Sequence, residues 1–374
     1  MALSDIIKSA TGPLRIRGGG TRPIGDTFGD AFDGTDLNTR ALSGITLYEP
    51  GALTLVVKSG TPLSEVEALL AHQGQRLAFE PMDHRGLMAT TGEPTIGGMV
   101  AANISGPRRV QTGACRDFLL GVRFVDGMGN IIKNGGRVMK NVTGYDLVKL
   151  MAGSFGTLGV LSEVSLKVLP KSEVQASLLI DGLEDARAIK ALSMALGSPY
   201  EISGAAHISG PSPTTIIRLE GFAASVVYRS GQLRERLREF GDIRIETDIE
   251  RSKFLWQELR DVSPFWQASG DVWRISLKPS DGPKLGAKLR KACDARLIYD
   301  WGGGLVWALM PEGFDLRAQL NGIPGHARIE RASAEVRRKF TTFAPEPPVL
   351  RDLSKGIRAR FDPRGILNPG LMGQ

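Results

Sequence analysis

The sequence predicts a two-domain protein of the α+β or α/β class. Its 374 residues exceed the ~150 residues of an average domain. Short aliphatic runs typical of strands alternate with segments whose apolar residues recur every three or four positions, as on helices. The composition changes near Pro170, since 26 of the 46 glycines precede residue 171 and all five tryptophans follow it. We therefore place the main domain boundary between residues 170 and 171.

The first 170 residues give the clearest secondary-structure signals. Leu14–Arg17 is predicted as a strand that ends at a run of glycines, and Leu53–Lys58 as a second strand. A helix is predicted to begin near Pro62 and to end before Gly74. Residues 122–133 contain two strand-like runs around Asp-Gly-Met-Gly-Asn, which predicts a hairpin.

The remaining residues continue this pattern. Ile216–Leu219 and Trp273–Leu277 are predicted strands. Leu233, Leu237 and Phe240 stand at spacings of four and three, so we expect them to share one buried face of a helix. These features indicate a hydrophobic core rather than a groove for a partner helix.

The composition excludes several classes of protein. Cys115 and Cys293 are the two cysteines, so neither a disulfide-rich scaffold nor an iron–sulfur cluster with four thiolates is expected, and a reducing compartment fits best. The four histidines lack zinc-binding spacing, so no metal site is predicted. No apolar run reaches the ~18 residues of a membrane span, and no secretory signal is expected.

The net charge of +7 is compatible with an anionic ligand, a nucleic acid or a membrane surface as partner. Arginines concentrate in residues 234–238 and 328–338. Because neither stretch interleaves aromatic residues for base stacking, both are predicted to be solvated faces. No nucleic-acid partner is therefore expected.

A glycine-rich loop directly follows the first predicted strand. Successive backbone N–H groups in such a loop can bind phosphate oxygens. Pro23 stands where the dinucleotide fingerprint G-x-G-x-x-G needs its last glycine, and no Walker lysine follows. The loop therefore predicts either a phosphate site of another kind or a tight structural turn. Its residues are Arg17, Gly18, Gly19, Gly20, Thr21 and Arg22.

Two further glycine-containing motifs follow. The first predicts a short helix of small residues beginning near Gly97, whose N-terminus would present free N–H groups to an anion. The second runs from Lys140 through Leu147 to a segment with glycines at 153, 156 and 159, which indicates backbone lying against a ligand. Each motif alone also fits an ordinary turn.

In combination and in this order, the three motifs resemble the FAD-binding domain of the vanillyl-alcohol oxidase type, with the p-cresol methylhydroxylase fold. The resemblance implies an α+β protein with a two-part FAD-binding domain at 1–170, an α+β cap domain at 171–335 and a C-terminal segment, 336–374, that returns to the FAD-binding domain. It also implies that the glycine-rich loop holds the FAD pyrophosphate and that the other motifs line the dinucleotide and flavin. The implied FAD-contacting residues are Arg17, Gly18, Gly19, Gly20, Thr21, Arg22, Ile96, Gly97, Gly98, Ala101, Asn103, Gly106, Gly113, Asp117, Gly156, Gly159 and Val160.

Many proteins of this fold attach FAD covalently through a histidine or a cysteine. No histidine occurs near residues 18–25, and His84 is far from that loop along the sequence. Cys115 is the remaining candidate for a tether. We therefore expect non-covalent FAD.

Longer stretches resemble the E subunits of bacterial glycolate oxidases. They are residues 106–121, 138–146, 273–277, 300–303 and 361–370. The resemblance implies a complex with a second FAD-binding subunit and an iron–sulfur subunit. Such a complex oxidises glycolate to glyoxylate and passes electrons to membrane quinone, which implies a cytoplasmic protein that is peripheral to the inner membrane.

Oxidation of a 2-hydroxy acid needs a cation for the carboxylate and a base for the hydroxyl proton. Catalytic relatives of this fold carry a His-Gly motif late in the chain, whereas the only late histidine here is His326, in a different pattern. His326 and Arg108 are thus candidate catalytic residues, and Arg108 also fits a phosphate or solvent-exposed role. We expect substrate oxidation to belong mainly to the partner flavin subunit.

Two other functions remain open. One is an FAD-dependent dehydrogenase that oxidises a 2-hydroxy acid such as D-lactate by itself, and the other is a scaffold subunit that binds no flavin. The intact glycine motifs argue against a scaffold, and the missing His-Gly motif argues against a self-sufficient dehydrogenase. Pro23 disfavours a nicotinamide enzyme.

Overall fold

The computed structural model describes residues 2–24, 32–137 and 144–372. Residues 140–143 of the third motif lie outside the described residues. Within them the strands are β1 (Leu14–Arg17), β2 (Thr35–Asn38), β3 (Ile45–Glu49), β4 (Thr54–Lys58), β5 (Gln75–Arg76), β6 (Leu119–Val125), β7 (Ile131–Gly135), β8 (Val160–Lys167), β9 (Leu169–Pro170), β10 (Val174–Asp181), β11 (Gly204–Ile208), β12 (Thr214–Gly221), β13 (Ile243–Glu246), β14 (Asp271–Leu277), β15 (Arg296–Asp300), β16 (Leu305–Met310) and β17 (Gly325–Arg331).

The helices lie between and after these strands. They are α1 (Leu3–Ser9), α2 (Leu63–His72), α3 (Arg85–Met88), α4 (Ile96–Ala101), α5 (Arg109–Thr112), α6 (Leu147–Met151), α7 (Asp185–Leu196), α8 (Ala223–Arg236), α9 (Ile249–Asp261), α10 (Gly282–Ala292), α11 (Leu316–Gln319), α12 (Ala334–Lys339) and α13 (Pro348–Phe361).

A five-stranded antiparallel sheet organises the N-terminal part, in the order β3-β4-β8-β6-β7. Leu55, Phe124 and Val164 are fully buried on it, with apolar residues of α2 and α4 in the same cluster. A separate pair, β1 and β2, is parallel and leads into the glycine-rich loop. The sheet therefore provides a rigid base beside that loop.

An eight-stranded antiparallel sheet organises the following residues, in the order β13-β10-β12-β11-β15-β16-β14-β17. Helices α7, α8 and α10 contribute Leu192, Leu233 and Leu285 to the core on one face. The residues Trp256 and Trp307 belong to a second cluster that also contains Met82 and Leu87 of the N-terminal part. Since both sheets are antiparallel, the α+β class is confirmed and α/β is excluded.

The predicted elements agree closely with the observed ones. β1, α2 and the β6–β7 hairpin lie where the sequence places them. Leu233, Leu237 and Phe240 are all buried, although α8 ends at Arg236 and the chain tightens into a 3-10 turn before Gly241. Gly241 has φ of +136°, a conformation that ends a helix and disfavours other residues.

The C-terminal segment lies against the N-terminal part. Leu367 forms a parallel bridge with Leu14, and Phe361 at the end of α13 contacts the Phe124 ring, with ring centres 6.0 Å apart. The Asn368 side chain accepts a hydrogen bond from the Ile16 N–H at 2.7 Å. These contacts hold the segment beside β1 and the glycine-rich loop.

A buried ion cluster joins the N-terminal part to the eight-stranded sheet. Arg218 of β12 donates two hydrogen bonds to the Glu80 carboxylate, each of 2.9 Å. Arg108 and Arg76 pair with Glu220, also on β12, at 2.8 and 2.6 Å. Burial alone would raise the pKa of Glu80, but Arg218 and Arg108 outweigh it and lower that pKa to about 2. The cluster fixes how the two parts face each other.

Candidate functional site

A first cavity of about 210 Å³ lies against the loop after β1. The loop runs along it, and the first residues of the α4 region and the C-terminal segment complete its wall. Of the predicted FAD-contacting residues, eight line this cavity: Arg17, Gly18, Gly19, Gly20, Thr21, Arg22, Gly98 and Ala101.

The backbone of the loop lines this cavity and carries unused hydrogen-bond donors. Within the described residues, the N–H groups of Gly18, Gly19, Gly20 and Thr21 have no hydrogen-bond partner. Consecutive unpaired N–H groups in a turn form a concave site for anions. The arrangement is chemically suited to phosphate oxygens.

Glycine is required in this loop for two different reasons. A Cβ at Gly19 would lie 1.5 Å from the carbonyl oxygen of Glu93, so the loop backbone packs directly on another backbone segment. Gly20 has φ of +71°, and a Cβ there would meet nothing within 4 Å. Gly20 is therefore open to the cavity, while Gly19 anchors the loop behind it.

The N-terminus of α4 does not present free N–H groups, contrary to the prediction. The N–H of Ile96 donates to the Thr61 carbonyl, that of Gly97 to the Ser59 carbonyl, and that of Gly98 to the Thr95 hydroxyl. Ile96 and Gly97 are buried and do not line either cavity. The N–H groups at the start of this six-residue helix are therefore used within the protein, and the helix contributes Gly98 and Ala101 to the wall of the first cavity.

Arg22 adds a side-chain cation to the first cavity. Its guanidinium lies 5.5 Å from the centre of the Phe155 ring, and its Nη1 is buried without a hydrogen-bond partner among the described residues. Desolvation by burial, opposed by Glu330, lowers the pKa of Arg22 to about 9, which leaves it charged at neutral pH. An unpaired buried guanidinium is costly unless an anion completes its hydrogen bonds.

A second cavity, of about 280 Å³, adjoins the first, and Phe155 lines both. The eight-stranded sheet supplies one wall. Arg274 of β14 stands directly opposite Arg328 of β17 and opposite Trp307 of β16, so these side chains share one face of the sheet. His326 lies two residues before Arg328 and lines the same cavity.

The arginines of this cavity have unequal partners. Arg328 forms an ion pair with Glu330, whose second oxygen, Oε2, is buried and unpartnered. Arg274 and Arg109 lie over the Trp301 ring, at 5.1 and 4.5 Å from a ring centre, and neither has a carboxylate partner among the described residues. Like charges directly opposite on neighbouring strands destabilise a sheet. The pairing of Arg274 with Arg328 is therefore a stability cost that an anion would offset.

His84 lies where the two cavities meet, since it lines both. Its distance along the sequence from the glycine-rich loop is thus not a distance in space. The residue is 5 % exposed, and its Nδ1 lies 3.3 Å from the Met82 carbonyl oxygen. Burial, followed by the charges of Arg22 and Arg328, holds the pKa of His84 well below its usual range. The ring is therefore neutral at pH 7.

The two candidate catalytic residues lie in different environments. His326 lines the second cavity, where burial and then Arg274 and Arg328 lower its pKa. Arg108 does not reach either cavity, because its guanidinium is buried in the ion cluster with Glu220. Its role is to hold the two parts of the molecule together, which replaces the predicted substrate, phosphate or solvent role.

Several predicted FAD-contacting residues pack elsewhere. Asn103 lines the second cavity, whereas Gly106, Gly113, Asp117, Gly156, Gly159 and Val160 line neither. The Gly106 carbonyl accepts a hydrogen bond from the Trp301 indole, and Gly113 and Asp117 form a local turn in which Asp117 accepts from the Ala114 N–H.

Three residues of the third motif, Gly156, Gly159 and Val160, pack near the site without lining either cavity. Gly156 has φ of +73° beside the Asn368 amide, and a Cβ at Gly159 would lie 2.6 Å from the Phe124 ring. Val160 is buried with Leu14 in a small cluster. These positions flank Phe155, which lines both cavities, and do not form a cavity wall themselves.

Cys115 is not placed to carry a tether. It is fully buried in the core of the five-stranded sheet and lines neither cavity. Burial raises the pKa of its thiol, so the reactive thiolate is strongly disfavoured.

The other histidines and the two arginine-rich stretches differ in how far they are buried. His72 is exposed at the end of α2, whereas His207 is buried and contacts Thr215 and Asp185 at 3.0 and 3.4 Å. Residues 234–238 expose their arginines. The stretch 328–338 does not behave as a solvated face, because several of its arginines are half-buried and bonded within the protein.

Sequence reasoning missed the residues that give the second cavity its charge. Arg274 lay inside a quoted motif, but nothing in its local spacing connected it with the other charged residues of this cavity. Arg328 was assigned to a solvated stretch, and Glu330 and His84 carried no local signal. Their common location follows only from strand register and from the packing of the two parts.

Comparisons with known proteins agree with this geometry. Residues 2–135 match the family model described as FAD binding domain. The chain is 36% identical over 365 residues to "Glycolate oxidase subunit GlcE" of Escherichia coli (strain K12), covering 96% of this chain and 92% of that protein. It is 33% identical to "Glycolate oxidase subunit GlcD" of Bacillus subtilis (strain 168), covering 96% and 83%.

A solved structure of alkyldihydroxyacetonephosphate synthase superposes with a TM-score of 0.66 at 14% identity, covering 96% of this chain and 72% of that chain, which shows a shared fold. The fold and the first cavity define an FAD-binding flavoprotein, and the predicted fold class and cofactor are confirmed. The chain belongs to the family of the glycolate oxidase subunit GlcE.

Membrane-spanning helices and metal-binding groups are both absent from the described residues. No helix there is long and apolar enough to cross a membrane. No group of three or more His, Cys, Asp or Glu side chains within residues 2–24, 32–137 and 144–372 is arranged to hold a metal ion.

Proposed function

We propose that this chain is the FAD-binding subunit of a glycolate oxidase that oxidises glycolate to glyoxylate. The observation that carries the proposal is the row of unpaired N–H groups from Gly18 to Thr21, in a loop that lines the first cavity beside an arginine-lined second cavity. The subunit names of the two relatives, one GlcE and one GlcD, support both the substrate and a multi-subunit assembly.

The residues of the first cavity fit FAD. The N–H groups of the loop and the guanidinium of Arg22 would bind the pyrophosphate, because both offer donors that lack partners within the described residues. Bound FAD supplies a two-electron acceptor. Phe155 and Asn103 would lie on the flavin side, since they line the second cavity. We assign the FAD-binding domain to 1–170, the cap domain to 171–335 and the returning segment to 336–374.

Further features of the proposal concern attachment, partners and location. We propose non-covalent FAD, because Cys115 is remote from both cavities. A second FAD-binding subunit and an iron–sulfur subunit would carry the electrons to quinone. The assembly would be cytoplasmic and peripheral to the membrane.

A specific observation favours a second candidate function. The second cavity brings arginines and a neutral histidine next to the proposed flavin site, which are the groups that a 2-hydroxy acid needs. This chain would then be an FAD-dependent 2-hydroxy-acid dehydrogenase in its own right.

The test is a visible absorption spectrum of the purified chain before and after acid precipitation. A flavin spectrum that moves to the supernatant is expected. Flavin in the pellet would contradict non-covalent binding and would implicate His84, which lines both cavities. A colourless chain that takes up no added FAD would overturn the proposal in favour of a scaffold.

Anaerobic glycolate then separates the two candidates. An unbleached spectrum in the isolated chain, with bleaching only in the assembled complex, supports the subunit proposal. Bleaching of the isolated chain establishes the second candidate.

A further inference from the structure

We propose that the second cavity binds a small carboxylate between Arg274 and Arg328, and that His84 takes up a proton when the anion binds. The inference rests on the proposed function for the choice of a two-carbon acid. It adds a site within this chain and a proton acceptor that is not the late histidine expected from the sequence.

The anion site follows from the register of two strands. Arg274 and Arg328 are direct neighbours on β14 and β17, so their side chains emerge from the same face of the sheet. Arg328 forms an ion pair with the Glu330 carboxylate. The Arg274 guanidinium has no hydrogen-bond partner within the described residues and lies over the rings of Trp301 and Trp307. Planar guanidinium groups suit a carboxylate because they can donate two parallel hydrogen bonds.

Three guanidinium groups from three different elements act on His84. Arg22 reaches it from the loop after β1, Arg274 from β14 and Arg328 from β17. The second cavity also contains Arg109 of α5, with Glu330 and His326 of β17. On the segment of His84 itself, Arg85 forms ion pairs with Asp83 at 2.8 Å and with Glu93 at 3.0 Å.

The His84 ring is oriented to accept a proton at one nitrogen. Its Nδ1 faces the Met82 carbonyl, which can only accept a hydrogen bond, so Nδ1 carries the hydrogen. No described residue forms a hydrogen bond to Nε2, which leaves its lone pair available in the cavities that the ring lines.

Anion binding and proton uptake are coupled by electrostatics. The nearby guanidinium charges and burial keep His84 neutral. A bound carboxylate offsets those positive charges and raises the proton affinity of Nε2. The complex therefore takes up a proton from solvent in a pH range where the free protein does not.

Oxalate is the probe, because it is a two-carbon carboxylate without a hydroxyl proton of its own. Its binding to the purified, flavin-containing chain would be measured by calorimetry at about pH 6.5, near the unperturbed pKa of histidine. Two buffers with low and high ionisation enthalpy are compared. The expected result is a buffer-dependent heat that corresponds to uptake of a substantial fraction of one proton.

Variants separate the anion site from the proton acceptor. His84→Gln should still bind oxalate, with heats that no longer depend on the buffer. His72→Gln, the same change at an exposed histidine, should retain the buffer dependence. Arg274→Met should weaken oxalate binding about 10- to 100-fold, as for loss of a charge-assisted hydrogen-bonded pair. Arg234→Met, at an exposed arginine, should not change it.

Three results would overturn the inference: no oxalate binding, equal heats in both buffers for the unaltered protein, or proton uptake that persists in His84→Gln. The buffer comparison on the unaltered protein decides the point even if a variant fails to fold. The flavin spectrum of the same sample reports separately on the proposed function. A colourless sample that binds oxalate with proton uptake would remove the FAD proposal and leave this inference standing.

Discussion

The two cavities are neighbours, but the protein builds them in opposite ways. The first is dominated by the backbone of one short loop, from Gly18 to Thr21. The second is dominated by side chains that come from distant points of the sequence, such as His84, Arg274 and Arg328. The backbone cavity depends on local conformation, whereas the side-chain cavity depends on how two sheets and their connections pack. Mutations should therefore affect the two cavities by different routes.

The largest expected effect is a loss of stability when the ion cluster between the N-terminal part and the eight-stranded sheet is broken. Arg218→Met removes both hydrogen bonds to Glu80 and leaves that carboxylate with weaker compensation. Breaking a buried ion pair typically costs about 3–5 kcal/mol, so the free energy of unfolding should fall by about that amount. Urea unfolding measures it, with Arg234→Met as an exposed control. If Arg218→Met lowered the free energy of unfolding no more than Arg234→Met does, the ion cluster would not hold the N-terminal part against the eight-stranded sheet.

The same cluster predicts a dependence on pH. The pKa of Glu80 is about 2 in the folded protein, below the ~4.3 of an unfolded chain. The ionised Glu80 carboxylate therefore contributes fully to the free energy of unfolding above about pH 4.3, and this contribution is lost as the pH falls towards 2. Unfolding curves between those values should show less pH dependence for Glu80→Gln than for the unaltered protein. If the free energy of unfolding changed equally with pH in Glu80→Gln and in the unaltered protein, the prediction would be contradicted.

The backbone cavity should be broken by one methyl group. Gly19→Ala would place a Cβ 1.5 Å from the Glu93 carbonyl oxygen, so the loop must shift. Overpacking of about 1–3 kcal/mol corresponds to roughly a 10- to 100-fold weaker retention of flavin. Flavin content after dialysis measures this. Gly12→Ala, where a Cβ would meet nothing within 4 Å, should retain flavin normally.

The C-terminal segment should support the backbone cavity from the side. The Asn368 side chain accepts from the Ile16 N–H and donates to the Phe155 carbonyl, at 2.7 and 2.8 Å. Asn368→Ala should cost about 1–3 kcal/mol of stability and weaken flavin retention. Thermal unfolding and flavin content test this, with Asn321→Ala as the exposed control. Unchanged flavin retention would show that the segment is not needed for the first cavity.

The smallest effect is expected in the side-chain cavity. Trp301→Phe keeps an aromatic ring beside Arg109 and Arg274 but removes the indole hydrogen bond to Gly106. Oxalate affinity should fall about 2- to 5-fold, without a change in flavin content. Trp266→Phe is the matched control, because its indole also donates to a backbone carbonyl but neither Arg109 nor Arg274 lies over its ring. A loss of flavin instead would mean that the two cavities are not independent.

The accuracy of the sequence predictions follows the same division. The strand before the loop, the helix after Pro62 and the β6–β7 hairpin were predictable because they depend on local periodicity and turn residues. The N-terminus of α4 was misjudged because Ser59 and Thr61, from another segment, use its N–H groups. Arg108 was misjudged because its partner Glu220 is 112 positions away.

The sequence by itself determined the α+β pattern, the family resemblance and the glycine-rich loop that faces the first cavity. Those features depend on residues that are close along the chain, and glycine is the residue that both close backbone approach and positive φ require. The tertiary structure alone decided which charges meet. Arg274 and Arg328 become neighbours through the β14–β17 register, and His84 joins them because the ion cluster and the apolar contacts hold the N-terminal part against the eight-stranded sheet. Strand register and long-range packing have no signature in local spacing, so the side-chain cavity could be found only in the folded molecule.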